Sequence, residues 1–515
     1  MNLDEFLYKL HYKSHEITPP DWEVNWEDAP LPYKIYRGLP AVELSSEIPQ
    51  DLKQTAKPTL KEVSQLLWYT FGLTQVSQSF AFGDGPDTWT TCRRFVPSGG
   101  ALYPNELYLY LKIEDAASGI YHYDVAHHRL ICLREGNFDD YLKQALGSRC
   151  DISSSFATVF ISTFFWKNFF KYHNFSYRLQ GLDAGFVIGQ LLEVSKRLGF
   201  ETGVYYQFLD PAVNHLIGID EKEESVYAVI PLSVDREMSW FSDEEQNSVS
   251  AKKLCTELPP LHHQHYVRSK RIMDYPMLHK LNDACMLDSF TSPRKMLEQP
   301  KEVCGSPTVK LPAVNGLTYD FLTACQTRYS PGLDFVLKPL SLHTLSALLH
   351  ETVTTRSYRN DLDQGFMQFA NRISITISTY NVEGLPNGLY RYDESQHTLQ
   401  QIASGDYRNR LQDGLLSDFV NMAQIPLSIN IAGSRNHYKT AFGYRGYRIQ
   451  HMEAGILSHR LLVAATACKM GGHPVLGFHV PSYDELHQHK DITSLLQVPV
   501  GHYRPHPRLQ GSMHT

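Results

Sequence analysis

The sequence predicts an α+β protein built as a tandem, with two copies of one mixed helix-and-sheet unit paired inside a single chain as an intramolecular pseudo-dimer. Three internal matches carry this reading. SGIYHYDVAHHRL (118–130) matches NGLYRYDESQHTL (387–399), placing Tyr121, Tyr123 and Asp124 on Tyr390, Tyr392 and Asp393 at an offset of 269 residues. SYRLQGLDAG (176–185) matches GYRIQHMEAG (446–455) at an offset of 270, so the register is almost unbroken between the two matches. LKEVSQLL from Leu60 matches LHTLSALL from Leu342 at an offset of 282. Such a difference is a loop-length change, which costs little entropy.

Each copy reads as helix, strand, hairpin, strand, long helix and final strand. LKEVSQLLWYTFG sets Leu60, Val63, Leu66, Leu67 and Phe71 at helical spacing, with Gly72 placed to stop the helix. ELYLYLKI and SITISTY predict strands, and GIYHYD and GLYRYD carry aromatics at every second position, which keeps them on one strand face. SFATVFISTFFW is β-branched and aromatic and predicts a buried strand, being too short for the roughly 20 residues of a membrane helix. LDAGFVIGQLLEVSKRLG and MEAGILSHRLLVAATACKMGG predict long central helices whose small residues allow backbones to approach closely. The resulting organisation is an entry segment at 1–55, a first repeat at 56–240, a connector at 241–314 and a second repeat at 315–515. The connector, rich in charge, Pro and His, has no counterpart within either copy and predicts only local helix.

Composition narrows the function classes. The chain has 515 residues, of which 42% are hydrophobic, 12% aromatic and 20% charged, so it can bury a large core. Its formal charge of -7 and pI near 6.4 give no basic footprint for nucleic acid or an anionic membrane, which favours a small or peptidic partner. The eight cysteines never come closer than 18 positions, so there is no CxxC pair, and a reducing cytoplasm is expected. The opening residues lack the apolar run of a signal peptide. The histidines at 262, 263, 265, 473, 479, 487 and 489 lack metal-ligand spacing and are expected in solvated loops, with no metal.

The most informative string is RRFVPSGGALYPNELYLYL (93–111), where a Pro-Ser-Gly-Gly turn feeds a strand. Two residues without Cβ let a planar group touch the backbone, and Ser98 and exposed amides offer hydrogen bonds; an ordinary glycine turn is the competing reading. Arg93 and Arg94, just before it, could face phosphate or substrate carboxylate, although a strand-edge salt bridge explains them equally. FFWKNFFKY (164–172) reads either as a lid over the site or as core packing.

PSGGALYPNELYLYL, the GIYHYD hairpin, the YRLQGLDAG helix start and the opening HYKSHEITPPDWEVNWEDAPLPYKIY together resemble the nitroreductase-like flavin fold, and within it the SagB/ThcOx-type azoline dehydrogenases. The resemblance implies an FMN-dependent oxidoreductase of peptide natural-product biosynthesis that oxidises thiazolines or oxazolines of a ribosomally made peptide to thiazoles or oxazoles. It implies a modified precursor peptide and a cyclodehydratase complex as partners. It further implies that FMN sits between two subunits, here the two repeats. The glycine cradle would come from the first repeat, as Pro97, Ser98, Gly99 and Gly100. The second repeat would supply a phosphate grip from Arg328, Ser330 and Arg504, with the Leu476 and Gly477 backbone facing the flavin. Copy one lacks the arginines and copy two lacks the turn, showing FMQFANRISI instead, so one FMN per chain is expected. Gly332 stands where the family carries a further arginine.

Lys171 and Tyr172 match the family's catalytic Lys-Tyr pair, while Ala441 and Phe442 occupy those places in copy two. Ordinary pKa values near 10 make both poor bases at pH 7. Burial of the Lys, and an ammonium beside the Tyr, are expected to lower both values toward useful proton transfer. Two other readings stand beside this one: an NAD(P)H-dependent nitroreductase or quinone reductase, and a degenerate flavoprotein serving as scaffold or peptide-binding subunit.

Overall fold

Each repeat is organised around a seven-stranded antiparallel sheet, and the two sheets share one strand order. The computed structural model describes residues 1–47, 51–80, 88–242, 249–289, 294–296, 307–354, 357–363, 371–505 and 509–512. In the first sheet the order is Ala41–Glu43, Arg129–Glu135, Gly119–Asp124, Asn105–Leu111, Ala157–Phe164, Glu224–Ser233 and Glu201–Thr202. In the second it is Thr308–Lys310, Thr398–Ser404, Gly388–Asp393, Ile373–Thr379, Leu427–Ser434, Ile492–Gly501 and Gly471–Gly472. The edge strand Thr308–Lys310 falls within the expected connector and occupies the place that Ala41–Glu43 takes in the first sheet, so the connector does carry a counterpart. Three residues give no readable period, which is why the sequence hid it.

Both faces of the first sheet are covered. Leu107, Leu109 and Leu111 enter the large core with Val159 and Ile161, whereas Tyr108 and Tyr110 pack on the outer side with Tyr141, Leu142 and Leu216. This two-sided burial turns SFATVFIS into a run buried at every position of Ala157–Phe164. The helix Leu60–Phe71 starts at a Thr59–Glu62 capping box and ends at Gly72, as its pattern predicts.

The two repeats share one core, built on the central helices Ser176–Leu198 and Arg445–Ala467. Their crossing is set by the glycines of LDAG and MEAG. A Cβ on Gly185 would stand 2.1 Å from the Met452 carbonyl oxygen, and one on Gly455 would stand 2.4 Å from that of Leu182. Only glycine permits this backbone approach. The carboxy-terminal strand Leu509–Ser512 crosses over to pair with Leu73–Phe80 of the first repeat, which pairs in turn with Thr88–Arg94. The strand leading into the glycine turn is thereby held by both halves of the chain.

The histidines depart from expectation. His262 and His479 are exposed, but His487 and His489 are buried against each other, His473 donates to the Pro331 carbonyl and His263 to that of Leu133. His473, His263 and His489 each find a partner for one ring nitrogen, His489 at Asn430, and His487 packs by stacking on His489, none of which sequence spacing reveals. Among the described residues no helix is long and apolar enough to cross a membrane.

Candidate active site

The turn sits at the exit of Thr88–Arg94. Gly99–Ala101 form a short 3-10 turn with Gly100 at φ +64°, and Ala101 and Tyr103 also have positive φ, at +56° and +48°. Left-handed backbone in non-glycine residues is costly and persists only where the surroundings enforce it. Here Ser98 Oγ accepts from Tyr103 N at 2.9 Å and donates to Asp183 Oδ2 at 2.6 Å, while Gly99 N donates to Asp183 Oδ1 at 3.4 Å. Asp183 belongs to the first central helix, so the turn is fastened to the middle of the molecule.

Lys171 and Tyr172 end the helix Trp166–Tyr172, which has a role beyond packing. One turn earlier, Lys167 Nζ donates to the Tyr103 carbonyl at 3.2 Å and pairs with the Glu106 carboxylate, both just after the glycine turn. From the entry segment, Trp22 Nε1 donates to the Lys171 carbonyl at 3.2 Å. The two side chains consequently lie on the turn itself. A Cβ on Gly100 would stand 2.7 Å from Tyr172 Oη and 2.8 Å from Lys171 Nζ, whereas one on Gly99 would meet Leu179 Cδ2 at 2.9 Å.

Electrostatics separates the pair. Burial lowers the Lys171 pKa, which favours a neutral amine, although its Nζ lies 5.3 Å from the Trp26 ring centroid and 4.9 Å from that of Tyr172. Tyr172 shifts the other way from expectation. Burial, and then the nearby Asp183 carboxylate, push its phenol well above the ordinary value. The cost of desolvating a phenolate sets this direction. Lys171 is thus the candidate base and Tyr172 a neutral O–H donor.

The second repeat reaches this turn through Arg328, which follows the helix Phe321–Thr327. Arg328 Nε donates to the Phe95 carbonyl at 2.8 Å, two residues before Pro97, and its Nη1 donates to Ser330 Oγ at 3.2 Å. It is buried without a carboxylate ion pair among the described residues, and burial together with Arg93 pushes its pKa down to about 10. A buried guanidinium facing another cation fits an anion such as a phosphate. Gly332 cannot be the missing arginine, because a Cβ there would stand 2.7 Å from the Phe419 carbonyl oxygen.

Arg504 is tied to the same loop by its backbone, its N donating to the Asp334 carbonyl at 3.0 Å, but its side chain is exposed. Leu476 is buried, and the Gly477 carbonyl accepts from Leu416 N at 2.9 Å. The Phe478 ring lies 5.6 Å from the Arg178 guanidinium, next in sequence to the Leu179 that covers Gly99. Lys171 and Tyr172 are therefore in contact with the turn, and Arg328 of the second repeat is bonded to the segment that leads into it.

Two sequence readings change. Arg94 makes no salt bridge among the described residues; it is buried, donates to the Pro32 carbonyl at 2.5 Å and stacks 3.8 Å from the Phe71 ring centroid. Asp183 and the Lys167–Glu106 anchor were missed. The acid was signalled by its counterpart Glu453, since both copies keep a carboxylate at the same register.

At the counterpart place Glu453, Arg372 and Tyr358 line a cavity of about 180 Å³. Glu453 accepts from Arg372 Nε at 2.7 Å and from Tyr438 Oη at 2.9 Å. At the register of Leu476 and Gly477, Tyr206 N and Gln207 N donate to the Asp361 carboxylate at 3.0 and 2.9 Å, and Tyr206 Oη meets Tyr358 Oη at 2.8 Å. The residues 366–370 of copy two that stand in place of the turn lie outside the described residues.

The comparisons agree with this architecture. Residues 51–232 match the profile of the Nitroreductase family. A crystal structure of an Anabaena variabilis protein assigned as a nitroreductase superposes with a TM-score of 0.77 at 23% identity, covering 98% of this chain and 99% of that one. The trifolitoxin-processing protein TfxB of Rhizobium leguminosarum bv. trifolii is 30% identical over 173 residues, 32% of this chain and 45% of TfxB. The chain thus spans less than half the length of TfxB. MJ1384 of Methanocaldococcus jannaschii, assigned as a nitroreductase, is 24% identical over 168 residues, 33% of this chain and 84% of MJ1384. The molecule has the nitroreductase fold in tandem form.

Proposed function

We propose that the chain is an FMN-dependent dehydrogenase that oxidises thiazoline or oxazoline rings of a ribosomally made peptide to thiazoles or oxazoles. The observation that carries this reading is the convergence of Lys171 Nζ and Tyr172 Oη on Gly100, in a turn whose leading segment is bonded at Phe95 by Arg328 of the other repeat. The residues fit FMN in their chemistry: a turn with two residues lacking Cβ, and a buried guanidinium with no carboxylate ion pair among the described residues. Pro97, Ser98, Gly99 and Gly100 would hold the ring. Arg328 and Ser330, with Arg504 swinging in from solvent, would hold the phosphate, and Leu476 and Gly477 would complete the wall. Bound FMN would supply the hydride acceptor.

The chain supplies positioning and proton transfer. Lys171 Nζ, its amine favoured by burial, takes the proton from the azoline ring carbon, and the Tyr172 hydroxyl holds the ring heteroatom by donating to it. Trp22 and Trp26 of the entry segment close over the Lys171 end of the helix and keep water out. One FMN per chain is expected, because the first repeat lacks the arginines of the phosphate grip and the second lacks the Pro-Ser-Gly-Gly turn.

The likeness to a trifolitoxin-processing protein supports a peptide substrate. The nitroreductase assignments of MJ1384 and the Anabaena protein favour a second reading, reduction of nitroaromatics or quinones by NAD(P)H. Loss of two hydrogens from an azoline peptide, measured by mass spectrometry, tests the first. Rapid flavin bleaching by NADPH without peptide, together with no azoline oxidation, would replace it by the second.

A further inference from the structure

Asp183 is a buried carboxylic acid that neither the substrate reading nor the cofactor reading uses. It lies in the first central helix, and both of its oxygens face the glycine turn: Oδ2 accepts from Ser98 Oγ at 2.6 Å and Oδ1 accepts from Gly99 N at 3.4 Å. Ser98 relays the contact onward by accepting from Tyr103 N at 2.9 Å. Thus one side chain fixes the turn at both ends, and Gly100 between them carries Lys171 and Tyr172.

A buried carboxyl normally has a cationic partner, because an isolated charge is expensive in the interior. The counterpart Glu453 follows the rule and pairs with Arg372. Asp183 forms no ion pair among the described residues. The titratable groups across Gly100 from it are Lys171 and Tyr172, and Tyr172 feels its charge. Burial accordingly pushes the carboxyl up to about 7, opposed by the Ser98 and Gly99 hydrogen bonds.

We propose that Asp183 is a positioning residue of this site, its carboxyl holding the Ser98–Gly99 turn in the geometry that sets Lys171 and Tyr172 against the bound ring. The proposal rests on the dehydrogenase reading for its kinetic consequence and on the turn alone for its spectroscopic one. Loss of the acid removes two hydrogen bonds to the turn without removing any group that touches the reacting atoms. Titration acts in the same sense, since the protonated acid accepts more weakly from Ser98 and Gly99 than the carboxylate does.

The experiment uses the full-length holoprotein, its Asp183→Ala and Asp183→Asn variants, and Ser98→Ala. Visible circular dichroism of bound FMN reports the turn's geometry independently of turnover. Infrared difference spectra of wild type minus Asp183→Asn, taken from pH 6 to 8, report the carboxyl. The expected results are an altered flavin dichroism in Asp183→Ala and Ser98→Ala, a carboxylic band titrating near pH 7, and a fall in kcat of about 100-fold in Asp183→Ala with KM nearly unchanged. Asp183→Asn keeps one accepting oxygen and recovers part of the rate, but loses the pH dependence near 7. Should Asp183→Ala fail to fold, Asp183→Asn and Ser98→Ala decide by the same dichroism. Wild-type dichroism and wild-type pH dependence in these variants would overturn the proposal. A wild type inactive on azolines would sink the function reading only, leaving dichroism and infrared to judge Asp183.

Discussion

Replacing Gly100 by alanine separates the catalytic reading from a merely structural turn. The substitution has two costs. A left-handed φ of +64° strains a residue with a Cβ by about 1–2 kcal/mol. The new Cβ would also fall 2.7 Å from Tyr172 Oη and 2.8 Å from Lys171 Nζ. Non-bonded contacts to carbon settle at about 3.5 Å or more, so both groups must retreat by roughly 1 Å. A misplacement of that size costs about 100-fold in rate, or about 2.7 kcal/mol in the barrier. Gly99→Ala is the control, because its Cβ comes closest to Leu179 Cδ2, the end of a side chain that can rotate away, and not to Lys171 or Tyr172. Turnover of an azoline peptide, followed by loss of two hydrogens at saturating FMN, should fall about 100-fold in Gly100→Ala and only a few-fold in Gly99→Ala. Equal rates in the two variants, or the reverse order, with FMN bound to both, would show that the Lys-Tyr pair is not the machinery.

Other outcomes follow from the same geometry. Lys171→Ala should abolish turnover with FMN still bound, and Tyr172→Phe should reduce it; wild-type kcat/KM should rise with pH to a plateau below the ordinary lysine value, because burial lowers the Lys171 pKa and only the amine accepts a proton. Arg328→Ala removes the buried charged donor and should weaken FMN binding about 10- to 100-fold, the equivalent of one charge-assisted hydrogen bond, as read by fluorescence titration. Gly185→Val puts a Cβ 2.1 Å from a backbone oxygen that cannot rotate away, and should lower the thermal midpoint through overpacking of at least about 1–3 kcal/mol. His11, His437 and His451 cluster with ring centroids 4.4 to 6.2 Å apart, and burial lowers all three pKa values, that of His437 to about 4. Between the unfolded value near 6.5 and these lowered values the unfolded chain binds more protons, so stability should fall as pH drops below about 6.5. Denaturant unfolding at pH 7.5 and 5.5 measures this, and His437→Gln should shrink the difference.

The repeat was legible because two long helices and a hairpin keep their register across 270 residues, and periodic patterns survive when composition drifts. LDAG and MEAG even announced the crossing, since paired glycines on buried helices mark close backbones. The strand Thr308–Lys310 escaped because an edge strand of three residues has no period, and the buried histidines because neutral imidazoles pack by partner rather than by pattern. At the site, PSGG and Lys171–Tyr172 stood out as strings, and the structure brings them into contact. The direction of the Tyr172 shift did not stand out, since it depends on how deeply the phenol is buried and on Asp183, 11 residues away in sequence. Asp183 is one of two acids in a mainly apolar helix, and its meaning lies in the turn above it. Arg504 shows the converse: the string proposed a ligand, and the fold leaves its side chain in solvent beside the loop it would serve.

Equilibrium dialysis of the full-length chain against FMN addresses the shared pocket itself. One FMN per chain, reduced sharply by Arg328→Ala in the second repeat and by widening the turn with Gly99→Leu in the first, is the predicted result. Two FMN per chain, or a single FMN indifferent to both substitutions, would contradict a site assembled from the two halves.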